Sequence, residues 1–278
     1  MRTLLAGAAA LAVAALPIAA FATPAAAADN ATVVVVHGVP DLTVDVYVSA
    51  DATYTKEEAL LTNFTPGTVT DPVKLPGGTY NLAVFAAKAD PSGKPAIEAK
   101  DVTVPGGANI SVVAHLDADG KPVLTPYVND VSKVAAGQGR LIVRHDAAAP
   151  AVDVLAGGKP VFKNLANPDE AKADLPAGTV SASVALAGTT TPVIGPADVP
   201  VVEGKATIVY AWGSAADKNL AVAVQTISGL HSSPSGVPSG TADLPADRTP
   251  VLLGGIALLG LLVAGGAAAQ ARRVRVND

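Results

Sequence analysis

His37 and His145 each end a run of mostly branched aliphatic residues, and each is followed eight positions later by an aspartate, Asp45 or Asp153, inside a Val-Asp-Val triplet. An imidazole and a carboxylate brought together can ligate a metal or exchange a proton as acid and base. Such a site needs three or four converging groups, and each segment offers two. The alternative role is architectural: the histidine caps a loop through backbone hydrogen bonds, while the aspartate, pointing away from the valine face, meets solvent or a turn amide. His37, Asp45, His145 and Asp153 are therefore taken as candidate residues of a binding face. No catalytic, cofactor-binding or metal-ligating residue is assigned.

Other familiar chemistry is missing or incomplete. The chain has no cysteine, which excludes disulfides, thiolate metal sites and cysteine catalysis. No Gly-x-Ser-x-Gly elbow occurs. Asp117-Ala118-Asp119-Gly120 opens like a calcium loop, but Lys121-Pro122-Val123 stands where later ligands belong, and an Asp-Gly hairpin turn accounts for it. Asn30, Asn63 and Asn109 head N-glycosylation patterns that are read as coincidental. Tyr210 and Trp212 are expected on opposite faces of one strand, one in the core and one available to a ligand.

The elements that carry these residues occur twice. Val33 to His37 with Val44-Asp45-Val46 recurs as Leu141 to His145 with Val152-Asp153-Val154, an offset of 108. Asn63-Phe64 recurs as Asn164-Leu165, and Leu75-Pro76-Gly77-Gly78-Thr79 as Leu175-Pro176-Ala177-Gly178-Thr179, an offset of 100. The drift places extra residues in the first copy around Lys56 to Leu61, as a helical turn or a longer hairpin. A period near 100 matches one small β domain and exceeds solenoid repeats. Alternating Val44, Val46 and Val48, and the segments 79–87, 108–115, 179–187 and 205–212, read as strands, separated by Gly- and Pro-rich turns. Seven or eight strands are expected per copy, with no long helix outside the termini.

The ends place the chain. Arg2, an apolar stretch from Leu4 to Ala22 and small residues Ala26 and Ala28 make residues 1–28 a signal peptide. Residues 251–271 form an uncharged run followed by Arg272, Arg273 and Arg275, long enough to span a bilayer with a basic tail (272–278) inside. Leu244-Pro245-Ala246-Asp247-Arg248 resembles a sortase signal, yet Asp247 and Arg248 replace the Thr and Gly that flank the cleaved bond, so a retained anchor is favoured over wall attachment. Between the ends, 15 basic residues face 23 acidic ones, a net charge of −8. That speaks against nucleic acid or anionic lipid headgroups as ligands.

The opening Val-His-x-x-Pro-x-x-x-x-Val-Asp-Val-Tyr, carried by His37, Pro40, Val44, Asp45, Val46 and Tyr47, followed by Leu75-Pro76-Gly77-Gly78-Thr79-Tyr80, resembles the exported bacterial family catalogued as domain of unknown function 4397. The second copy keeps His145, Val152, Asp153 and Val154 but has Leu155 in place of the tyrosine. The resemblance implies a β-sandwich surface module in two tandem copies, assigns no activity, and with the Ala/Val-rich composition points to an actinobacterial source.

The expected fold is thus all-β: two tandem antiparallel β-sandwich domains (Ig-like/prealbumin-like) plus one C-terminal transmembrane helix. The expected order is signal peptide (1–28), first sandwich (29–130), linker (131–137), second sandwich (138–228), Ser/Pro/Gly-rich stalk (229–250), transmembrane helix (251–271) and tail. The expected function is a non-enzymatic, single-pass, type I cell-surface protein that binds an extracellular protein or glycan and takes no cofactor. An envelope enzyme acting on wall glycan would need two carboxylates facing each other across a groove. A pure spacer would have no concave apolar pocket.

Overall fold

The computed structural model describes residues 29–232, and in them all regular structure except one 3-10 turn is β-strand. The first half holds β1 (Asn30–His37), β2 (Val44–Ser49), β3 (Ala59–Phe64), β4 (Val73–Pro76), β5 (Gly78–Ala86), β6 (Ile97–Val104), β7 (Asn109–Leu116) and β8 (Pro122–Val128). The second holds β9 (Gln138–Ala148), β10 (Val152–Ala156), β11 (Lys159–Leu165), β12 (Glu170–Pro176), β13 (Gly178–Leu186), β14 (Pro192–Val201), β15 (Ala206–Ser214) and β16 (Ala221–Ile227). The first half makes two sheets, ordered β3-β2-β5-β6 and β4-β1-β7-β8. The second repeats them strand for strand, as β11-β10-β13-β14 and β12-β9-β15-β16. Segments rich in β-branched residues pack well on a pleated surface, which is why this helix-poor composition resolves into short strands.

The sheets depart from the purely antiparallel expectation at one pair in each half. β1 runs parallel to β7, with Thr32 opposite Asn109 and His37 opposite Ala114, and β9 runs parallel to β15. A tight hairpin cannot join parallel strands. The chain instead leaves β1, builds the opposite sheet, and returns to β7 beside its starting point. The expected insert in the first copy contains both anticipated forms, a 3-10 turn at Lys56–Glu58 running straight into β3. Just before it, Tyr54 packs edge-on against Tyr47 and Phe85 on the outer side of the β3-β2-β5-β6 sheet.

Within each half the two sheets face each other across an apolar interior. A further cluster crosses between the halves. Val34, Val36 and Val113 of the first half pack with Ile142, Ala206, Ile208, Tyr210 and Ala223 of the second. The β4-β1-β7-β8 and β12-β9-β15-β16 sheets therefore lie face to face, and the four sheets form one stack. Strands β1 and β9 are consequently buried on both faces. Each fully buried valine or isoleucine contributes about 1.5–3 kcal/mol.

Val134, in the expected linker, is part of this packing. Val134 is buried, its amide donates to Leu230 O at 2.8 Å, and its carbonyl accepts from Ser232 N at 3.2 Å. Leu230, at the start of the expected stalk, is buried in the same cluster. The signal peptide, residues 233–250 of the stalk, the membrane segment 251–271 and the tail lie outside the described residues. Among the described residues no helix is long and apolar enough to cross a membrane.

Candidate functional site

The four candidate residues occupy equivalent places in the two halves, and each is buried. His37 Nε2 donates to Leu42 O at 2.7 Å while its Nδ1 accepts from Val39 N at 3.3 Å. His145 repeats this with Pro150 O at 3.0 Å and Ala147 N at 3.4 Å. Each ring thus closes the loop that follows its strand, held as the Nε2-H tautomer by the two backbone partners. Burial lowers both imidazole pKa values below the ordinary range.

Asp45 and Asp153 each join two backbone amides on neighbouring segments. Asp45 accepts from Asn63 N at 2.8 Å and Lys88 N at 2.9 Å. Asp153 accepts from Asn164 N at 2.8 Å and Gly188 N at 3.0 Å. All four donors have positive φ, between 52° and 77°. The carboxylates therefore hold the irregular spots where β3 and β11 bulge and where the turns after β5 and β13 reverse. In Asp153 these two amides lower the pKa.

What comes together at this end is loops. The end of β9 at Ala147 and the β9–β10 loop, with Ala149 and Pro150, border a groove of about 630 Å³ whose other walls are Leu186, Val193, Ile194 and the turn between β15 and β16 (Ala215, Ala216, Lys218). The matching β1–β2 loop, Pro40 to Thr43, borders a shallower hollow of about 430 Å³ that ends on Trp212 and Asn219. The loops that His37 and His145 close therefore flank the same β15–β16 turn. Asp117 to Lys121 is a hairpin turn, with Asp117 Oδ1 accepting from Asp119 N and Lys121 N.

The residues missed at the sequence level lie between the halves. Arg144 is fully buried, stacked 4.1 Å from the centre of the Tyr127 ring, and donates to Asn129 Oδ1 at 2.7 Å, Tyr210 Oη at 2.9 Å and Glu170 Oε2 at 3.0 Å. Tyr210 and Ser111 both donate to Gln225 Oε1. Tyr127 Oη lies 2.6 Å from Asp146 Oδ1 and 2.7 Å from Pro168 O. Burial and then the Asp146 charge raise the Tyr127 pKa, and burial raises that of Asp146. The one sequence signal is Arg144 itself, a charge inside an apolar strand where the first copy has Val36.

Tyr210 and Trp212 do not face opposite ways. Residues two apart in a strand share a face, and both pack against the cluster between the halves. Trp212 fills the space beside Gly38 and Gly67, where a Cβ would come within 2.9 Å and 3.1 Å of it.

Inside the first half, the β3-β2-β5-β6 and β4-β1-β7-β8 sheets border an apolar cavity of about 180 Å³. At about 24 cal/mol per Å³, an empty void of that size costs on the order of 4 kcal/mol relative to a filled one.

Residues 31–155 match the family model described as Domain of unknown function (DUF4397). The resemblance read from the opening motif holds over this stretch. The match starts at the second residue of β1, covers the whole first half, and continues through the linker and β9 into β10. It thus includes all four candidate residues and Arg144. No curated protein matches the chain.

Proposed function

We propose that this chain is a non-enzymatic, exported binding protein, tethered to the cell membrane through residues 251–271 and presenting its two sandwiches as one rigid body to an extracellular protein or glycan. The observation that carries this reading is the convergence of the β1–β2 and β9–β10 loops on the β15–β16 turn, with hollows on either side. A groove of several hundred Å³ with apolar walls is the usual form of a binding surface. Lys218 and Asp41 are the charged residues lining the two hollows, and the buried His145 imidazole beside them is neutral. An apolar contact surface with few charged groups suits a protein loop or the faces of sugar rings.

The observed carboxylate roles give the glycan-hydrolase alternative little support. Asp45 and Asp153 are tied to backbone amides, and Asp130, Asp174 and Glu170 pair with Arg140 and Arg144. The spacer alternative predicts no apolar concavity, whereas the described residues contain two.

The test uses residues 29–232 incubated with purified wall glycan and with protein-bearing cell envelope, with and without EDTA, alongside variants Leu186→Asp and Val193→Asp in the groove. Saturable binding that the groove variants abolish, without release of glycan fragments, is the expected result. Fragment release would establish the enzyme, and absence of binding to both fractions would leave a spacer.

A further inference from the structure

We infer that the first sandwich is a receptor for a small hydrocarbon group, which enters between β6 and β8 and occupies the cavity between the two sheets. This site is separate from the loop face proposed above.

Three observations support it. The cavity is lined by Val, Leu, Ile, Phe, Ala and Pro side chains, with Thr103 the single polar contributor and no charged residue. The interior of the first sandwich is also divided, with Val35, Val46, Val84 and their neighbours in one cluster and Val33, Leu82, Ile110 and Val112 in another. The cavity draws its walls from both. The second sandwich, with the same strand order, has a single interior cluster. Finally, four lining residues, Thr103, Pro105, Pro126 and Val128, are exposed, and Val128 is 62% accessible. They lie on or just past the edge strands β6 and β8, so the cavity reaches the surface there. The two prolines bring no backbone N–H to that edge.

Chemistry and size define the guest. Water is excluded, since it needs two to four polar partners and an apolar void of this kind stays dry. A cavity of about 150 Å³ with aliphatic and aromatic walls accommodates benzene, so 180 Å³ suits a ring of that size or the terminal carbons of an alkyl chain. An ionised headgroup has no partner inside and must remain at the β6–β8 mouth. Two sources share this chemistry, a free apolar molecule and the end of a lipid acyl chain.

Residues 29–232 belong to one compact unit with its own cores and serve as the test protein. Thermal unfolding is followed with benzene, with 1-octanol, and after mixing with phosphatidylcholine vesicles whose acyl chains carry a carbon-13 label at the terminal methyl. Val46→Ile and Val112→Ile add one methylene each to opposite walls without changing the branching at Cβ, and their combination should fill part of the void. The expected result is a saturable rise of several degrees with benzene and octanol. The double variant should unfold at the same or a higher temperature and bind benzene at least tenfold more weakly. Transfer of the labelled lipid to the protein would identify an acyl chain as the source, and its absence alongside benzene binding a free molecule. If benzene leaves the unfolding temperature unchanged, or the isoleucines lower it, the interior is already full and the inference is wrong. Neither outcome alters the loop-face assay, which reads a different surface.

Discussion

The guanidinium of Arg144, from β9 of the second half, lies 4.1 Å above the ring of Tyr127, from β8 of the first. The same guanidinium donates to Asn129 just beyond β8 and to Tyr210 on β15. This side chain therefore links the two sandwiches. Removing one partner of a buried, hydrogen-bonded charge leaves the others unsatisfied, at about 3–5 kcal/mol. Residues 29–232 should unfold in urea as one transition, and Arg144→Ala should lower the unfolding free energy by that amount or divide the transition into two. Two transitions in the unmutated protein would show that the halves are independent.

Gly38 supports the same interface by close approach. A Cβ there would sit 2.9 Å from the Trp212 Cβ and 3.2 Å from Ala114 O, both fixed groups. Gly38→Ala should cost about 1–3 kcal/mol and change the Trp212 fluorescence, whereas Gly107→Ala is a control whose added Cβ meets nothing within 4 Å but which changes a positive-φ residue. An unaltered emission spectrum in Gly38→Ala would mean that Trp212 does not occupy this place.

Asp146 should make stability depend on pH in the acid-favouring sense. Burial holds its carboxyl above the ordinary range, against the pull of His115, Tyr127, Arg144 and His145, and Oδ2 has no hydrogen-bond partner. The unfolded group ionises near pH 4. Its contribution is thus complete below about pH 4 and declines as pH rises through the raised folded value. Asp146→Asn keeps an acceptor for Tyr127 and should make the protein more stable at pH 8 than the parent. Equal urea midpoints for the two at both pH 5 and pH 8 would count against this.

His37 and His145 should act in the opposite direction. Their folded pKa values are lowered by burial, while the unfolded rings take up a proton near pH 6.5. Their contribution is present above that pH and is lost as pH falls through the lowered folded values. Protonation at Nδ1 would also break the bond from Val39 or Ala147. NMR of the folded protein should show neither ring titrating near pH 6.5, and a midpoint there for either would contradict the assigned tautomers.

Asp45→Ala should lower stability by about 2 kcal/mol, because the amides of Asn63 and Lys88 lose their acceptor. Asp153→Ala should act in the same direction through Asn164 and Gly188. Neither change should alter binding at the loop face by more than its effect on folding. A full loss of binding with an unchanged urea midpoint would give these aspartates a direct role in recognition.

Much of this architecture is legible in the residues. Alternation in Val44 to Val48, the doubled His and Val-Asp-Val segments, and the Leu-Pro-x-Gly-Thr repeats are local signals, and local signals report strands, turns and their recurrence. They also located the aspartates and histidines that fasten each half, since both use the backbone of nearby loops. The parallel pairing of β1 with β7 was not legible, because an apolar strand reads the same whichever direction its neighbour runs. Nor was the second buried face of β1: Val33 to Val36 form a continuous apolar run, and such a run does not say whether its outer side meets solvent, a membrane or another sheet.

The sequence by itself determined an all-β chain with a repeated unit, since composition, period and turn residues act over a few positions. Only the tertiary structure decided that the two units share a core, because this depends on residues more than a hundred positions apart, such as Ser111 and Gln225, satisfying one another away from water. The cavity in the first sandwich belongs to the same class. Whether facing valines meet or leave a gap is set by the separation of two sheets, and no single strand contains that distance.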